Sequence, residues 1–375
     1  MNVWVKGKWI WAVAVLLPAL AVSPARAATV WTNYPPGTSP ANNLSDTPVS
    51  PDILGVRVLS GTIIFQGVNT YSGGTVLQGG VAAVKTDSAF GTGPLSLQGG
   101  TLWAEVDRTL ANAVTLDGNS YFGYSAGSSY PGDISFTQPL MLSSNHALIH
   151  NGSAGPGNYP QPVTLSAGVS DGGHGYNLTT KSGTYNTDAF VLGSGSTYTG
   201  TTVVHGSTIQ LNGTLTTTAE IRANNGGTFQ VVWSGVAGAN NRLGDAIPVR
   251  LCGGSLSAST YYGGDNFGWA WDQNSETFGT VTLDHGRSVV RADGGRSIAR
   301  LTITSLVRNT GTAYFHSSGW GSKNAGGRVF ITGQPAGFVG GWGHAYSANC
   351  DSGGATVDSG YDFPWYGANG VEPML

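Results

Sequence analysis

From Gly61 onward the chain alternates apolar and polar positions in short runs. "GTIIFQG" at 61–67, "LSLQGG" at 95–100, "STIQLNG" at 207–213, "TVTLDHG" at 280–286 and "RLTITSL" at 300–306 are examples. Alternation over about five residues, closed by turn formers such as Gly, Asn and Asp, is the signature of a strand with one buried face. No long stretch beyond residue 27 places an apolar residue at every third or fourth position. The pattern therefore predicts an all-β chain of short strands and tight corners.

Two of these strand–corner units recur. "TYSGGTVLQGG" at 70–80 returns as "TYTGTTVVHGS" at 197–207, so that Tyr71, Gly73 and Val76 fall on Tyr198, Gly200 and Val203. "FGTGPLSLQGGTL" at 90–102 returns, with one inserted residue, as "LGDAIPVRLCGGSL" at 243–256. Gly91, Gly99 and Gly100 then meet Gly244, Gly253 and Gly254. A unit this short cannot bury its apolar face alone and must stack on a neighbour. Stacked coils of about 20–25 residues, spaced about 4.8 Å apart, predict a rod on the order of 70 Å long. Valine and threonine suit the strands, and glycine suits the corners. Charge is scarce because stacking would set like charges side by side.

Composition adds a location. Lys6 and Lys8 precede the apolar run "IWAVAVLLPAL" at 10–20, and "ARA" at 25–27 offers the small residues of a cleavage site. This predicts a signal peptide over 1–27, cut after Ala27. No later segment reaches the ~18 apolar residues of a membrane helix, so no transmembrane segment is expected in the mature chain. Removal of Lys6, Lys8 and Arg26 shifts the formal charge from −3 to about −6, without a basic stripe, which argues against nucleic acid as a partner. Charged residues are only 10% of the chain, yet 40% hydrophobic content with 11 Trp and 15 Tyr supplies a core. Cys252 and Cys350 are candidates for one disulfide in an oxidising compartment; their spacing leaves the pairing open.

The run "NTYSGGT" at 69–75, followed by "AFGTGPLSLQGGTL" at 89–102, resembles the autotransporter-associated β-strand repeat, also called the passenger-associated transport repeat. The second copy departs from it at Ser196, Thr201 and Asp245. The tail, with Trp342, Asp362, Phe363, Tyr366, Gly367, Asn369, Gly370 and Val371, is similar to segments of long bacterial proteins that carry such repeats. The resemblance implies a right-handed parallel β-helix (a solenoid). It implies export to the cell surface, the outer membrane face or the medium, with the periplasm as the alternative. The expected role is structural or adhesive. It implies no catalytic residues and no cofactor. The C-terminal barrel of autotransporters is not recognisable before Leu375, so a truncated or fragmentary passenger is one expectation. The expected layout is a signal peptide at 1–27, an N-terminal extension or cap at 28–58 and β-helix with the first repeat at 59–192. β-helix with the degenerate second repeat follows at 193–310, then a Gly- and aromatic-rich segment at 311–375.

Candidate chemistry is sparse. "DSGG" at 351–354 lacks the His and Asp context that a serine nucleophile at Ser352 needs. "HGS" at 205–207 aligns with Gln78, Gly79 and Gly80 and reads as a strand end facing solvent. "GSGS" at 193–196 lacks the lysine of a phosphate loop. No Cys/His spacing suggests a metal. A polysaccharide lyase or glycoside hydrolase on a β-helix would need paired carboxylates. Asp265 and Asp272, with Glu276 nearby, are the weak candidates, set among Tyr261, Trp269 and Trp271. These aromatic and acidic residues serve equally a glycan-binding module. The expected partners are accordingly surface glycans or other cell-surface components, and a non-enzymatic role is the leading expectation.

Overall fold

The structure, a computed structural model, describes residues 29–34, 44–46, 53–123, 132–150, 162–182, 189–233, 241–260, 273–293, 298–318, 326–348, 364–368 and 370–373. The expected signal peptide, Asp265, Asp272, Cys350, Ser352, Asp362, Phe363 and Asn369 lie outside the described residues. Among the described residues every element is a strand, and three long sheets carry the fold.

Each sheet is parallel, and each of its strands comes from a successive rung. The first sheet has 7 strands and runs from Thr29–Tyr34 to Val169–Ser170. The second has 12, from Thr62–Phe65 to Gly326–Ile331, and the third has 10, from Arg108–Leu110 to Gly343–Ala348. This is a parallel β-helix. Beyond Ser170 the first sheet shrinks to single bridges, Ser196 to Leu215 and Leu215 to Leu243. Among the described residues, rungs run from 19 residues (Val204 to Ala223) to 34 (Ser255 to Val289). Because several exceed the expected 25, the 12-stranded sheet is about 50 Å long, shorter than the rod predicted from the sequence.

Register explains why the alternation was needed. Val58, Leu77, Leu97, Leu116 and Leu142 are successive partners in the first sheet, and all are buried. In the third sheet Ile134, Val163, Phe190, Ile209, Phe229, Leu256, Val290 and Phe315 make a second buried column. A one-residue slip in any rung would turn these side chains outward. Each fully buried Leu, Val or Phe stabilises the rod by about 1.5–3 kcal/mol relative to exposure. One polar ring joins a column: His150 follows Leu102 and Phe122 inside the second sheet, with its ring 4.1 Å from that of Phe190. Burial pushes its pKa down to about 3, so the imidazole is neutral.

The corners are built from hydrogen bonds as well as glycine. Tyr71 and Tyr198 are both completely buried, and each hydroxyl bonds the Thr four residues on: Thr75 at 2.5 Å and Thr202 at 2.6 Å. The next residue clasps an Asp of the preceding rung. Ser72 donates its N–H and hydroxyl to Asp46, and Thr199 donates the same two groups to Asp171. Asp171 also accepts the N–H groups of Gly173, Gly175 and Tyr176, and no solvent reaches it. Burial alone would raise its pKa; the donors from Thr199, Gly173 and Tyr176 outweigh that and hold it at about 2.

The tail adds an element the repeat pattern did not predict. Pro364–Gly367, Gly370–Pro373 and Gly337–Phe338 form a small antiparallel sheet. The Tyr366 hydroxyl accepts from the Ile331 N–H at 3.2 Å and donates to the Ile331 carbonyl at 2.9 Å. Val371 is fully buried against the core.

Candidate functional site

A polar cleft lies on the outer face of the second sheet, where four consecutive strands cross it: Thr202–His205, Ile221–Asn224, Val249–Cys252 and Gln273–His285. Their inward residues Val204, Ala223, Leu251 and Leu283 form a buried column. The alternate positions therefore point out, and His205, Arg222, Asn224, Asn225, Arg250, Cys252, Asp284 and His285 line a cavity of about 340 Å³.

Arg222 and Arg250 are direct register partners, a like-charge pair in adjacent rungs. Such pairs are destabilising. Here Glu220 offsets the repulsion by giving one oxygen to each guanidinium: Oε2 to Arg222, and Oε1 to Arg250 at 3.3 Å. Arg250 also donates through Nη1 to Asp284 Oδ2 at 3.2 Å. The two carboxylates raise the Arg250 pKa. The hydrogen bond from Asn309, with the Arg250 charge behind it, keeps Asp284 below the ordinary carboxylate range.

The register shifts between Leu251 and Cys252, so Cys252 pairs with His285 and Asp284 is the extra residue. A bulge of this kind re-aims side chains. It brings Cys252 Sγ, an Asp284 oxygen and a His285 ring nitrogen within 4.8 Å of one another. The thiol donates to Asp284 Oδ2 at 3.8 Å. Burial, then the nearby Asp284 carboxylate, push the Cys252 thiol pKa up. Cys252 is a free thiol in the structure.

The sequence-based candidates fall elsewhere. Glu276 lies inside the rod with no solvent exposure, and its two oxygens accept the N–H groups of Arg242 at 2.9 Å and Leu243 at 3.0 Å. Burial pushes its pKa up to about 7 against those hydrogen bonds. It braces a neighbouring rung and does not face the cleft. Ser196 is buried at a corner, where its hydroxyl accepts the Val169 N–H. Ser207 is buried against Thr180, while His205 faces the cleft with Asn225 at 3.3 Å. The repeat glycines are corner residues: a Cβ on Gly73 or Gly200 would lie 2.4 or 2.3 Å from a backbone oxygen of the previous rung, and Gly74 and Gly91 have φ of +89° and +63°. A Cβ on Gly244 would lie 3.2 Å from the Ile247 side chain.

The cleft itself was missed. Its residues are ordinary strand-end polar positions in sequence, and only the long rung joining Cys252 to His285 brings them together. One signal was available: the outward strand-end position is Gln78 and Gln98 in the first copies of the two units but His205 and Cys252 in the second.

The cleft also tests the enzymatic alternative. Glu220 and Asp284 share Arg250, and of the two carboxylates Asp284 lines the groove. An acid–base pair needs one carboxyl kept protonated. Asp284 is shifted the other way.

No helix of the described residues is long and apolar enough to cross a membrane. No protein-family model matches the chain, and no solved structure matches it. Over 64 residues, 16% of its length, the chain is 45% identical to the adhesin BmaC autotransporter of Brucella suis biovar 1 (strain 1330). The matched stretch spans about 2% of that relative, so the chain is similar, in part, to an autotransporter adhesin built on a far longer scale.

Proposed function

We propose that this chain is an exported, adhesin-like β-helical passenger element that presents polar rod faces to surface glycans or other cell-surface components. The observation that carries the reading is the similarity to an autotransporter adhesin, joined to a rung-on-rung parallel fold. Residues 1–27 direct export, with cleavage after Ala27. Binding is weak at any one rung and accumulates along the rod, because repeated faces act together. The test is expression with the native leader in a Gram-negative host, followed by amino-terminal sequencing, surface labelling and cell- and glycan-binding assays. Mature protein starting at Ala28, found outside the inner membrane and retained on cells or glycans, is expected. An uncleaved cytoplasmic chain, or an exported one that binds neither, sinks the proposal.

A second reading has one observation in its favour, the Glu220–Arg250–Asp284 arrangement, of which Arg250 and Asp284 line the cleft. It makes the rod a polysaccharide-active enzyme. Turnover on a polysaccharide panel, abolished by Asp284→Ala, would establish it; inertness across the panel leaves the adhesin-like reading.

A further inference from the structure

Cys252, Asp284 and His285 converge on the cleft from two adjacent rungs. We propose that they form a binding site for one divalent transition-metal ion of the zinc type. Cys252 Sγ, Asp284 Oδ2 and a ring nitrogen of His285 are the ligands, and the fourth coordination position opens onto the cleft.

Four observations converge on it. The first is distance. Bonds of about 2.3 Å to sulfur and about 2.1 Å to oxygen span the 3.8 Å Sγ···Oδ2 separation at an angle of roughly 120°, close to tetrahedral. The ion takes the place of the thiol proton between two atoms already correctly spaced. His285 is exposed, so its ring is free to close the remaining gap. The second is the bulge, which turns two consecutive residues of one strand towards a single residue of the next. The third is support around the ligands. Asn309 Nδ2 holds the other Asp284 oxygen at 2.8 Å, which orients the carboxylate as metal sites require, and the Thr310 hydroxyl donates to the Asp284 backbone carbonyl at 2.8 Å. The fourth is an orphan. Asn224 Oδ1, in the lining of the same cavity, is buried and has no hydrogen-bond partner among the described residues.

The donor set decides the metal. Thiolate and imidazole favour zinc-type ions over calcium or magnesium, which take oxygen. On binding, the Cys252 S–H bond breaks, a metal–sulfur bond forms, and the proton leaves to solvent. Thiolate and carboxylate together balance the two positive charges. Arg250 then keeps Glu220, its other partner.

The test is titration of the reduced full chain with Co2+ and then Zn2+. One equivalent of Co2+ should give a near-ultraviolet thiolate-to-cobalt band that Zn2+ displaces. Cys252→Ala should abolish the band, and His285→Ala, at an exposed position with no bearing on folding, should weaken binding at least tenfold. Cys350→Ala should leave the band intact. A wild-type chain without the band overturns the proposal. So does a band that survives Cys252→Ala, one that vanishes with Cys350→Ala, or a His285→Ala chain with unchanged affinity.

Discussion

The two copies of the repeat share a sequence but not a place on the rod. In the first copy, Thr75–Leu77 and Leu95–Leu97 belong to the first sheet, and the strands after their glycine corners, Val81–Val84 and Thr101–Ala104, belong to the second. In the second copy, Thr202–His205 and Val249–Cys252 belong to the second sheet, and Thr208–Leu211 and Ser255–Thr260 to the third. The motif has moved by one face. Its local chemistry moved with it: the Tyr–Thr hydroxyl pair and the clasped Asp are present in both. Its corner changed phase. The left-handed residue is the second glycine of the first pair, Gly100 at φ +68°, but the first glycine of the later pair, Gly253 at φ +70°. The partner glycine is needed for space instead, since a Cβ on Gly99 or Gly254 would lie about 2.5 or 2.4 Å from a backbone oxygen. A strand–corner–strand unit thus specifies a bend and two strands, and leaves the choice of face to the rungs around it.

The comparison breaks most visibly at the clasped aspartates. Asp171→Ala strands buried N–H donors and should destabilise the chain by about 4 kcal/mol, whereas Asp46→Ala, at a partly exposed corner, should cost about 1 kcal/mol, both read by denaturant unfolding. Equal losses would show that the second corner is no tighter than the first.

Acid distinguishes the two halves next. His150 has a folded pKa near 3 against an ordinary 6.5, so its contribution is complete above pH 6.5 and is lost as pH falls towards 3. The slope should approach 1.4 kcal/mol per pH unit and should flatten in His150→Leu. Glu276 has the opposite sign. Its folded pKa near 7 lies above an ordinary 4.5, so its contribution is complete below pH 4.5 and is lost as pH rises towards 7. The slope is similar over a shorter window, and Glu276→Gln should remove it. Hydrogen exchange across pH 3 to 8 should locate the first effect near the Phe122 and Phe190 rungs and the second near Arg242.

The smallest effect sharpens the likeness. Tyr71→Phe and Tyr198→Phe should each cost about 1–1.5 kcal/mol in thermal unfolding. The second should be the larger, because Thr202 also bonds Thr218, whose hydroxyl bonds the Gly200 carbonyl.

Much of the fold was legible because the code for it is local. Val58, Leu77 and Leu97 announce an inward column by alternation alone, and paired glycines announce the bend after it. The site was not legible, for a physical reason. Glu276 reads as an exposed acid in an aromatic stretch, but its partners are N–H groups 33 and 34 residues away, and only the stacking of rungs supplies them. Cys252 and His285 likewise meet through register across a long rung. The antiparallel Pro364–Gly367 hairpin escaped because the tail lacks the repeat on which the reading relied.

Rung length carries a consequence of its own. The 19-residue rung and the 32-residue rung keep one buried column, Val204, Ala223, Leu251 and Leu283, in register. An insertion at a corner is then almost neutral for stability, since it neither interrupts a column nor alters its neighbours' pairing. Such a scaffold lets selection rewrite what is displayed to the outside world while the interior stays the same.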